Sequence, residues 1–95
     1  MKGHSDCPIS KVALLLSDPW TMMILHYLNG GPKRFCELEK ALDGISTRTL
    51  TLKLGKLAQE EMIKKNKDGA YITTKRGRGI KLVEKAMTRY QAEYL

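Results

Sequence analysis

Apolar residues recur at helical spacing along most of the chain, and the clearest run covers residues 45–57. Leu50, Leu54 and Leu57 stand at i, i+4 and i+7, which predicts the buried stripe of an amphipathic helix. Ser46 is a good N-cap for it, because its hydroxyl can accept from a backbone N–H of the first turn. The opposite side is basic and rich in hydroxyls. This face suits a DNA major groove, although an ordinary surface helix has the same stripe.

Two helices are predicted before this one. Pro8 precedes an apolar run over residues 9–16, and proline is favoured in a first helical turn, where its missing N–H costs nothing. Asp18 and Pro19 then supply a cap and a first residue for a second helix. Glycine and proline in residues 29–32 are expected to end it.

A short extended link and a short helix over residues 37–42 come next, with Leu38 and Leu42 facing inward. Residues 43–44 form a turn into the helix that begins near residue 45. Two helices joined by so short a turn predict a helix-turn-helix. The second helix of such a unit is the one that enters the groove.

A hairpin is predicted directly after this unit. Residues 62–66 and 70–73 are strand-like, and the Asp-Gly between them is one of the strongest hairpin signals. A basic hairpin in this position is typical of a wing that lies near the phosphate backbone. Its lysines are Lys64, Lys65 and Lys67. Lysine is also common on exposed strand edges, where it prevents aggregation, so a solvated hairpin is the alternative.

A last helix is predicted from a cap at Thr73 or Thr74 to about residue 94. Its apolar positions follow spacings of 3, 4, 3 and 4, which is typical of a coiled-coil-like seam. These positions are Ile80, Val83, Met87, Tyr90 and Tyr94. We interpret the row as a dimer seam, and packing on the subunit's own core is the alternative.

The length of 95 residues allows one domain, residues 1–95, which is small enough to gain from a partner subunit. The predicted class is mainly α with a small β-hairpin, a winged helix-turn-helix of about five helices plus a wing. No apolar run is long enough to span a membrane, and the N-terminus lacks the apolar core of a signal peptide. We therefore expect a cytoplasmic protein.

The charge is concentrated in one half of the chain. Residues 1–43 carry five basic and five acidic side chains, whereas residues 44–95 carry twelve basic and five acidic ones and hold the whole net charge of +7. Such asymmetry indicates a polyanionic partner, and double-stranded DNA is the best candidate. A membrane surface fits less well, because no helix pairs a basic face with a large aromatic one. Sequence-independent DNA binding by a small basic protein stays open.

Catalytic or metal chemistry has little support in the sequence. His4 and His26 are the only histidines, and no carboxylate pair, phosphate loop or Ser-His-Asp pattern is present. Cys7 and Cys36 match no zinc spacing, so we expect no enzyme, no metal and no cofactor. A winged helix that binds protein instead of DNA is the other competitor, but it has no need for this charge asymmetry.

Several motifs stand in the order found in one known family. They are Cys7-Pro8, Trp20, Ile24-Leu25, Gly31-Pro32-Lys33-Arg34-Phe35, Glu37-Leu38, Gly44-Ile45-Ser46, Leu50, Leu54 and Leu57. The set covers roughly residues 7–78 and resembles the HxlR family of winged-helix transcriptional regulators, relatives of the MarR group. The resemblance implies a homodimer that binds a palindromic operator. It also implies an interface built by the terminal helices, here residues 7–17 and 75–95.

Some positions depart from that family. Asp18-Pro19 stands where Gly-Lys is frequent, and Cys36 stands where asparagine is frequent. Leu52 and Gly55 occupy positions that are commonly polar. These differences leave the base-reading residues and the operator sequence open.

On this interpretation the helix over residues 45–57 reads bases. Arg48 is the expected guanine reader, with Thr47, Thr49, Thr51 and Leu52 as further base or methyl contacts. The expected phosphate contacts are Ser46, Lys53, Lys56, the three wing lysines and, at the edge of the footprint, Lys33 and Arg34. Repression is expected, because a domain this small has no obvious surface for recruiting polymerase.

Cys7 is the candidate for a redox sensor. Pro8 opens a helix, so Cys7 stands near the N-cap, where free N–H groups and the helix dipole favour a thiolate. The HxlR resemblance adds that some members use a cysteine before this proline to sense oxidants or electrophiles. A structural thiol is the alternative, and the identity of any effector is open.

Overall fold

Helices and one hairpin follow one another in the predicted order in a computed structural model that describes residues 7–95. His4 and the rest of residues 1–6 lie outside the described residues. The helices are α1 (Pro8–Leu15), α2 (Pro19–Asn29), α3 (Phe35–Ala41), α4 (Thr47–Gln59), α5 (Lys75–Arg78) and α6 (Lys81–Tyr94), and the strands are β1 (Ile63–Lys65) and β2 (Tyr71–Thr73). The predicted class, mainly α with a small β-hairpin, is confirmed.

The core forms around α2, which contacts α3, α4, α5 and β2. The predicted leucine stripe of α4 is confirmed, since its three leucines are at most 2% exposed. Burying each such side chain contributes about 1.5–3 kcal/mol, so this stripe fixes which face of α4 turns outward. The buried core residues are Ile24, Leu25, Leu28, Leu38, Leu42, Leu50, Leu54, Leu57, Met62, Ile63 and Ile80.

Capping side chains set the helix starts. Asp18 accepts a hydrogen bond from the Thr21 N–H at 3.0 Å, and Pro19 follows at the first position of α2. Ser46 accepts from the Thr49 N–H, also at 3.0 Å, at the start of α4. These local signals are readable in the sequence because the cap and its partner lie three residues apart.

Helix α3 begins at Phe35, two residues before the predicted start. The Glu37 carboxylate accepts a hydrogen bond at 2.8 Å from the Arg34 N–H and so satisfies one of the free donors at the helix start. Phe35 is partly buried and packs against the core.

The hairpin is shorter than predicted and has an additional partner. Each strand has three residues, and Ile63 lies opposite Thr73. Lys33 pairs with Tyr71 through two backbone hydrogen bonds of 3.1 and 2.7 Å. The link expected to be merely extended therefore covers the outer edge of β2. Gly69 takes the positive φ of 81° in the hairpin turn.

The single last helix that the sequence predicts is instead two segments. Thr74 caps α5 by accepting from the Gly77 N–H. After α5, the Ile80 and Leu82 N–H groups bond to carbonyls three residues back, at 3.2 and 3.1 Å, which tightens the backbone before α6. Ile80 turns into the core at this junction and is only 5% exposed.

Candidate nucleic-acid interface

The outer face of α4 is basic and open to solvent. Arg48, Thr51, Leu52 and Lys56 are exposed, and Leu52 has 63% of its surface exposed. Arg48 makes no side-chain hydrogen bond or ion pair with any residue in the range 7–95. The buried leucines hold α4 against the core, and the Arg48 guanidinium can form two parallel hydrogen bonds to an acceptor such as guanine.

The hydroxyls at the start of α4 are held by the protein. Ser46 donates to the Thr49 Oγ1 at 2.9 Å while it caps the helix. Thr47 donates to the Glu39 Oε2 at 2.5 Å, and the Thr51 hydroxyl donates to the Thr47 carbonyl at 2.8 Å. Each of these hydroxyl oxygens can still accept a further hydrogen bond. Glu39 places a carboxylate beside this end of the helix, which the sequence pattern did not reveal.

Lys53 differs from the other lysines expected to bind phosphate. Its Nζ lies 2.6 Å from the Asp18 Oδ2, and the two side chains are only 27% and 23% exposed. Partial burial acts to raise the pKa of Asp18. The hydrogen bonds from Lys53 and Thr21, together with the Lys53 charge, outweigh that effect and lower the pKa overall. The ammonium group is therefore occupied inside the protein.

The wing and the link before α3 form one basic surface. The wing lysines are all exposed, and the Lys65 ammonium lies 5.2 Å from the centre of the Tyr71 ring. An Arg34 nitrogen would be 3.6 Å from a Cβ placed on Gly69, so Arg34 reaches the hairpin turn. Lys33 is half-buried and its backbone is paired with β2. Since β1 packs against α4, the two basic regions are neighbours.

The terminal helices expose apolar side chains. Neither α1 nor α6 has a buried residue. On α1, the apolar side chains of Ile9 and Leu14 are 79% and 67% exposed. On α6 the predicted row is present from Val83, which is half-buried, through Met87, Tyr90 and Tyr94, which are 54%, 58% and 71% exposed. Ile80, predicted to begin the row, lies in the subunit core instead. Met87 also lines a groove of about 400 Å³ beside the α1–α2 turn.

Cys7 is the N-cap residue of α1 and is half-buried. The backbone N–H of Ser10, the Ser10 hydroxyl and the backbone N–H of Ile9 all favour the thiolate and lower the pKa of Cys7. Cys36 is exposed in the first turn of α3. The two thiols therefore differ in accessibility.

Residues 7–95 hold neither a candidate metal site nor a membrane-spanning helix. No three His, Cys, Asp or Glu side chains come together there in a way that could hold a metal ion. No helix in that range is both long and apolar enough to cross a membrane. His26 lies on the exposed side of α2, and its Nδ1 is 2.9 Å from the Glu84 carboxylate of α6.

Comparisons with known proteins agree with this architecture. A family model described as HxlR-like helix-turn-helix matches residues 15–95. The HTH-type transcriptional regulator sll1512 of Synechocystis is 38% identical over 101 residues, which cover 98% of this chain and 73% of the relative. The HTH-type transcriptional regulator YodB of Bacillus subtilis is 36% identical over 64 residues, which cover 66% of this chain and 57% of YodB.

The similarity extends to three dimensions. The crystal structure of quinone-bound YodB from B. subtilis superposes with a TM-score of 0.85 at 29% identity, covering 93% of this chain and 99% of that one. The predicted HxlR resemblance and the helix-turn-helix are thereby confirmed. The named relatives are transcriptional regulators, a class that acts through DNA and not through catalysis.

Proposed function

The chain belongs to the HxlR-like helix-turn-helix family of transcriptional regulators, and we propose that it represses transcription as a homodimer bound to a palindromic operator. The observation that carries the proposal is the outer face of α4. No Asp or Glu stands within α4 itself, Arg48 has no side-chain partner among residues 7–95, and three buried leucines hold this face outward. A cytoplasmic location follows from double-stranded DNA as the partner.

In this proposal α4 lies in the major groove. Arg48 binds the O6 and N7 atoms of a guanine, and Leu52 contacts a thymine methyl group. The three threonines of the first turns offer hydroxyl oxygens to bases or phosphates; they are Thr47, Thr49 and Thr51. The start of α4 at Ser46 and the Lys56 ammonium bind phosphates, since a helix N-terminus and a cation both favour anions.

The wing supplies the second contact region. Its lysines, Lys64, Lys65 and Lys67, follow the phosphate backbone or the adjacent minor groove, and Lys33 and Arg34 extend this contact at the edge of the footprint. Such contacts orient the protein without reading sequence. Specificity in this proposal therefore comes from α4, and much of the affinity comes from the wing.

The dimer is proposed to form through the terminal helices. Exposed apolar side chains on α1 and the row of Val83, Met87, Tyr90 and Tyr94 on α6 make the kind of patch that marks an interaction surface. A twofold dimer presents two copies of α4, which accounts for a palindromic site. The charge asymmetry supports DNA over a protein partner.

Selection of bound sequences from randomised duplex DNA, with sedimentation of the free protein, tests the proposal. We expect two inverted half-sites, a dimer, and operator affinity about a thousandfold or more above that for random DNA. A ratio near one would instead indicate sequence-independent DNA binding. No retention of any duplex would indicate a protein-binding module.

We further propose that Cys7 makes the regulator responsive to electrophiles. The family relative YodB has a quinone-bound structure, and the lowered pKa of Cys7 increases the thiolate fraction. The thiolate would add to a ring carbon of a quinone, forming a C–S bond as one C=O becomes an enolate. The carbon bonded to sulfur then loses its hydrogen as a proton, and this proton with one from solvent leaves a thioether-substituted hydroquinone in which the quinone has taken up the sulfur electron pair. At the start of α1, beside the proposed interface, such an adduct would disturb the subunit arrangement.

Alkylation and DNA binding test this role together. Exposure alone favours faster alkylation of Cys36, whereas thiolate character favours Cys7, so mass mapping after brief treatment separates the two. We expect Cys7 to react first and quinone to release the operator. Cys36→Ser should respond like the parent, and Cys7→Ser should not respond. A Cys7→Ser protein that is still released by quinone would remove Cys7 from the mechanism.

A further inference from the structure

The Asp18 carboxylate joins two helices, α2 and α4. Its Oδ1 accepts from the Thr21 N–H at 3.0 Å, which caps α2. Its Oδ2 accepts from the Thr21 hydroxyl at 3.2 Å and from the Lys53 ammonium at 2.6 Å. Asp18 also follows the end of α1 within three residues, so the α1–α2 turn and the reading helix α4 meet at this side chain.

Lys53 faces this carboxylate because of its place on α4. It follows Leu50 by three residues and precedes Leu54 by one, so it flanks the buried stripe and lies about 140° around the helix from Arg48. Both members of the pair are less than a third exposed. A charge-assisted hydrogen bond in such surroundings is shorter and stronger than a neutral one.

We propose that Asp18 is a positioning residue for the reading helix, acting through Lys53, and that Lys53 is not a phosphate contact. The proposal rests on the DNA-binding function proposed above. The leucine stripe holds α4 against the core, but an apolar contact alone permits small rotations and shifts along the helix axis. The ion pair fixes the rotation of α4 about its own axis relative to α2. It thereby sets the direction in which the Arg48 side chain points toward the DNA.

The same residue borders the proposed dimer surface. Asp18 lines the groove that also contains Leu16 from the end of α1 and Met87 from α6. A displacement of the terminal helices in the dimer would therefore reach Asp18 directly. A change at Asp18 would pass to α4 through the Asp18–Lys53 ion pair and alter how Arg48 is presented, which would couple the subunit arrangement to base reading.

The test compares Asp18→Asn and Lys53→Gln with the parent on a selected operator and on random duplex, across a range of salt concentrations. Asparagine is as good an N-cap as aspartate, so α2 keeps its cap while the ion pair is lost. We expect each single variant to lower the ratio of operator to random-DNA affinity about fivefold. The double variant should lower this ratio no further than either single variant, because both changes remove the same ion pair. Lys53→Arg, which keeps the positive charge, should keep the parent ratio. The slope of log affinity against log salt should stay unchanged in Lys53→Gln.

Lys56→Gln and Asp43→Asn are the matched controls. Lys56 is an exposed lysine on α4, and its loss should weaken all sequences equally and reduce the salt slope by about 0.9. Asp43 is an exposed aspartate just before α4, and its loss should leave the ratio unchanged. A salt slope reduced in Lys53→Gln as in Lys56→Gln, or an unchanged ratio in Asp18→Asn, would overturn the proposal. A parent protein without operator preference would instead overturn the proposed function.

Discussion

Arg48 and Lys65 are both exposed cations, but their surroundings predict different effects on DNA binding. Arg48 stands on the rooted helix α4 and is free to form two directed hydrogen bonds, whereas Lys65 lies on the short strand β1 above the Tyr71 ring. Directed contacts to a base edge carry sequence information, while a lysine near phosphate contributes charge.

Arg48→Ala should therefore cost about 1–3 kcal/mol on the operator and relax the preference at one base position. Lys65→Ala should weaken binding to all sequences about equally. Titration of both variants against the operator and its single-base mutants measures the difference. Unchanged affinity and preference in Arg48→Ala would mean that another face of α4 meets the DNA.

The Asp18–Lys53 pair also predicts a pH dependence of stability. The pKa of Asp18 is lowered in the folded protein, so its contribution is complete above the unfolded value of about 3.9 and is lost as pH falls through the lower folded value. Asp18→Asn should be less stable than the parent at pH 7, by about 0.5–1 kcal/mol, and this difference should shrink below about pH 4. Urea unfolding at pH 7 and pH 3, at one protein concentration, measures it. A difference that is the same at both pH values would contradict the ion-pair explanation.

At the scale of elements, the contact between α5 and the hairpin depends on a glycine. A Cβ on Gly77 would lie 2.1 Å from the Met62 carbonyl oxygen and 3.2 Å from the Thr73 Cβ. Both neighbours belong to or adjoin the hairpin strands, so they have little freedom to move aside. This close approach allows α5 to pack on the wing.

Gly77→Ala should accordingly destabilise the fold by about 1–3 kcal/mol, as overpacking does. The matched control is Gly55→Ala in the exposed face of α4, where no atom lies within 4 Å of the added Cβ. That change should stabilise the protein by about 0.4–1 kcal/mol, because alanine has fewer unfolded conformations than glycine. Denaturant unfolding compares the two, and equal effects would contradict the packing explanation.

At the scale of the whole molecule, the chain is more extended than its length requires. Its radius of gyration is 14.1 Å, compared with about 12 Å expected for a compact domain of this size. The terminal helices α1 and α6 bury no residue. An amphipathic helix whose apolar row is mostly exposed in its own subunit needs a second surface to cover it.

Met87→Glu tests that surface. Met87 is 54% exposed and lines the groove beside the α1–α2 turn, so a glutamate there should bury an unpaired charge in the dimer at a cost of about 3–5 kcal/mol. Sedimentation should show a monomer, and operator binding should collapse. The control is Thr88→Glu, which adds the same charge on the polar side of α6. A Met87→Glu protein that is still fully dimeric would place the interface elsewhere.

The order of the helices and the hairpin, and the face that α4 buries, can be predicted from the amino-acid sequence. The features that could be predicted depend on residues close together in the chain, because helix and hairpin geometry fix short-range distances. They are the stripe of Leu50, Leu54 and Leu57, the cap at Ser46 and the turn glycine Gly69. The position of Arg48 on the outer face followed from the same periodicity.

The long-range partners of these elements could not be predicted from the sequence pattern and are visible in the folded chain. Lys53 pairs with Asp18 across 35 residues, Lys33 joins the hairpin at Tyr71, and Ile80 enters the core instead of the outer row. Periodicity describes one element at a time, whereas each of these contacts depends on how two elements are oriented after the core has packed. For that reason a lysine that sequence pattern assigns to phosphate is, in the folded chain, held by a carboxylate.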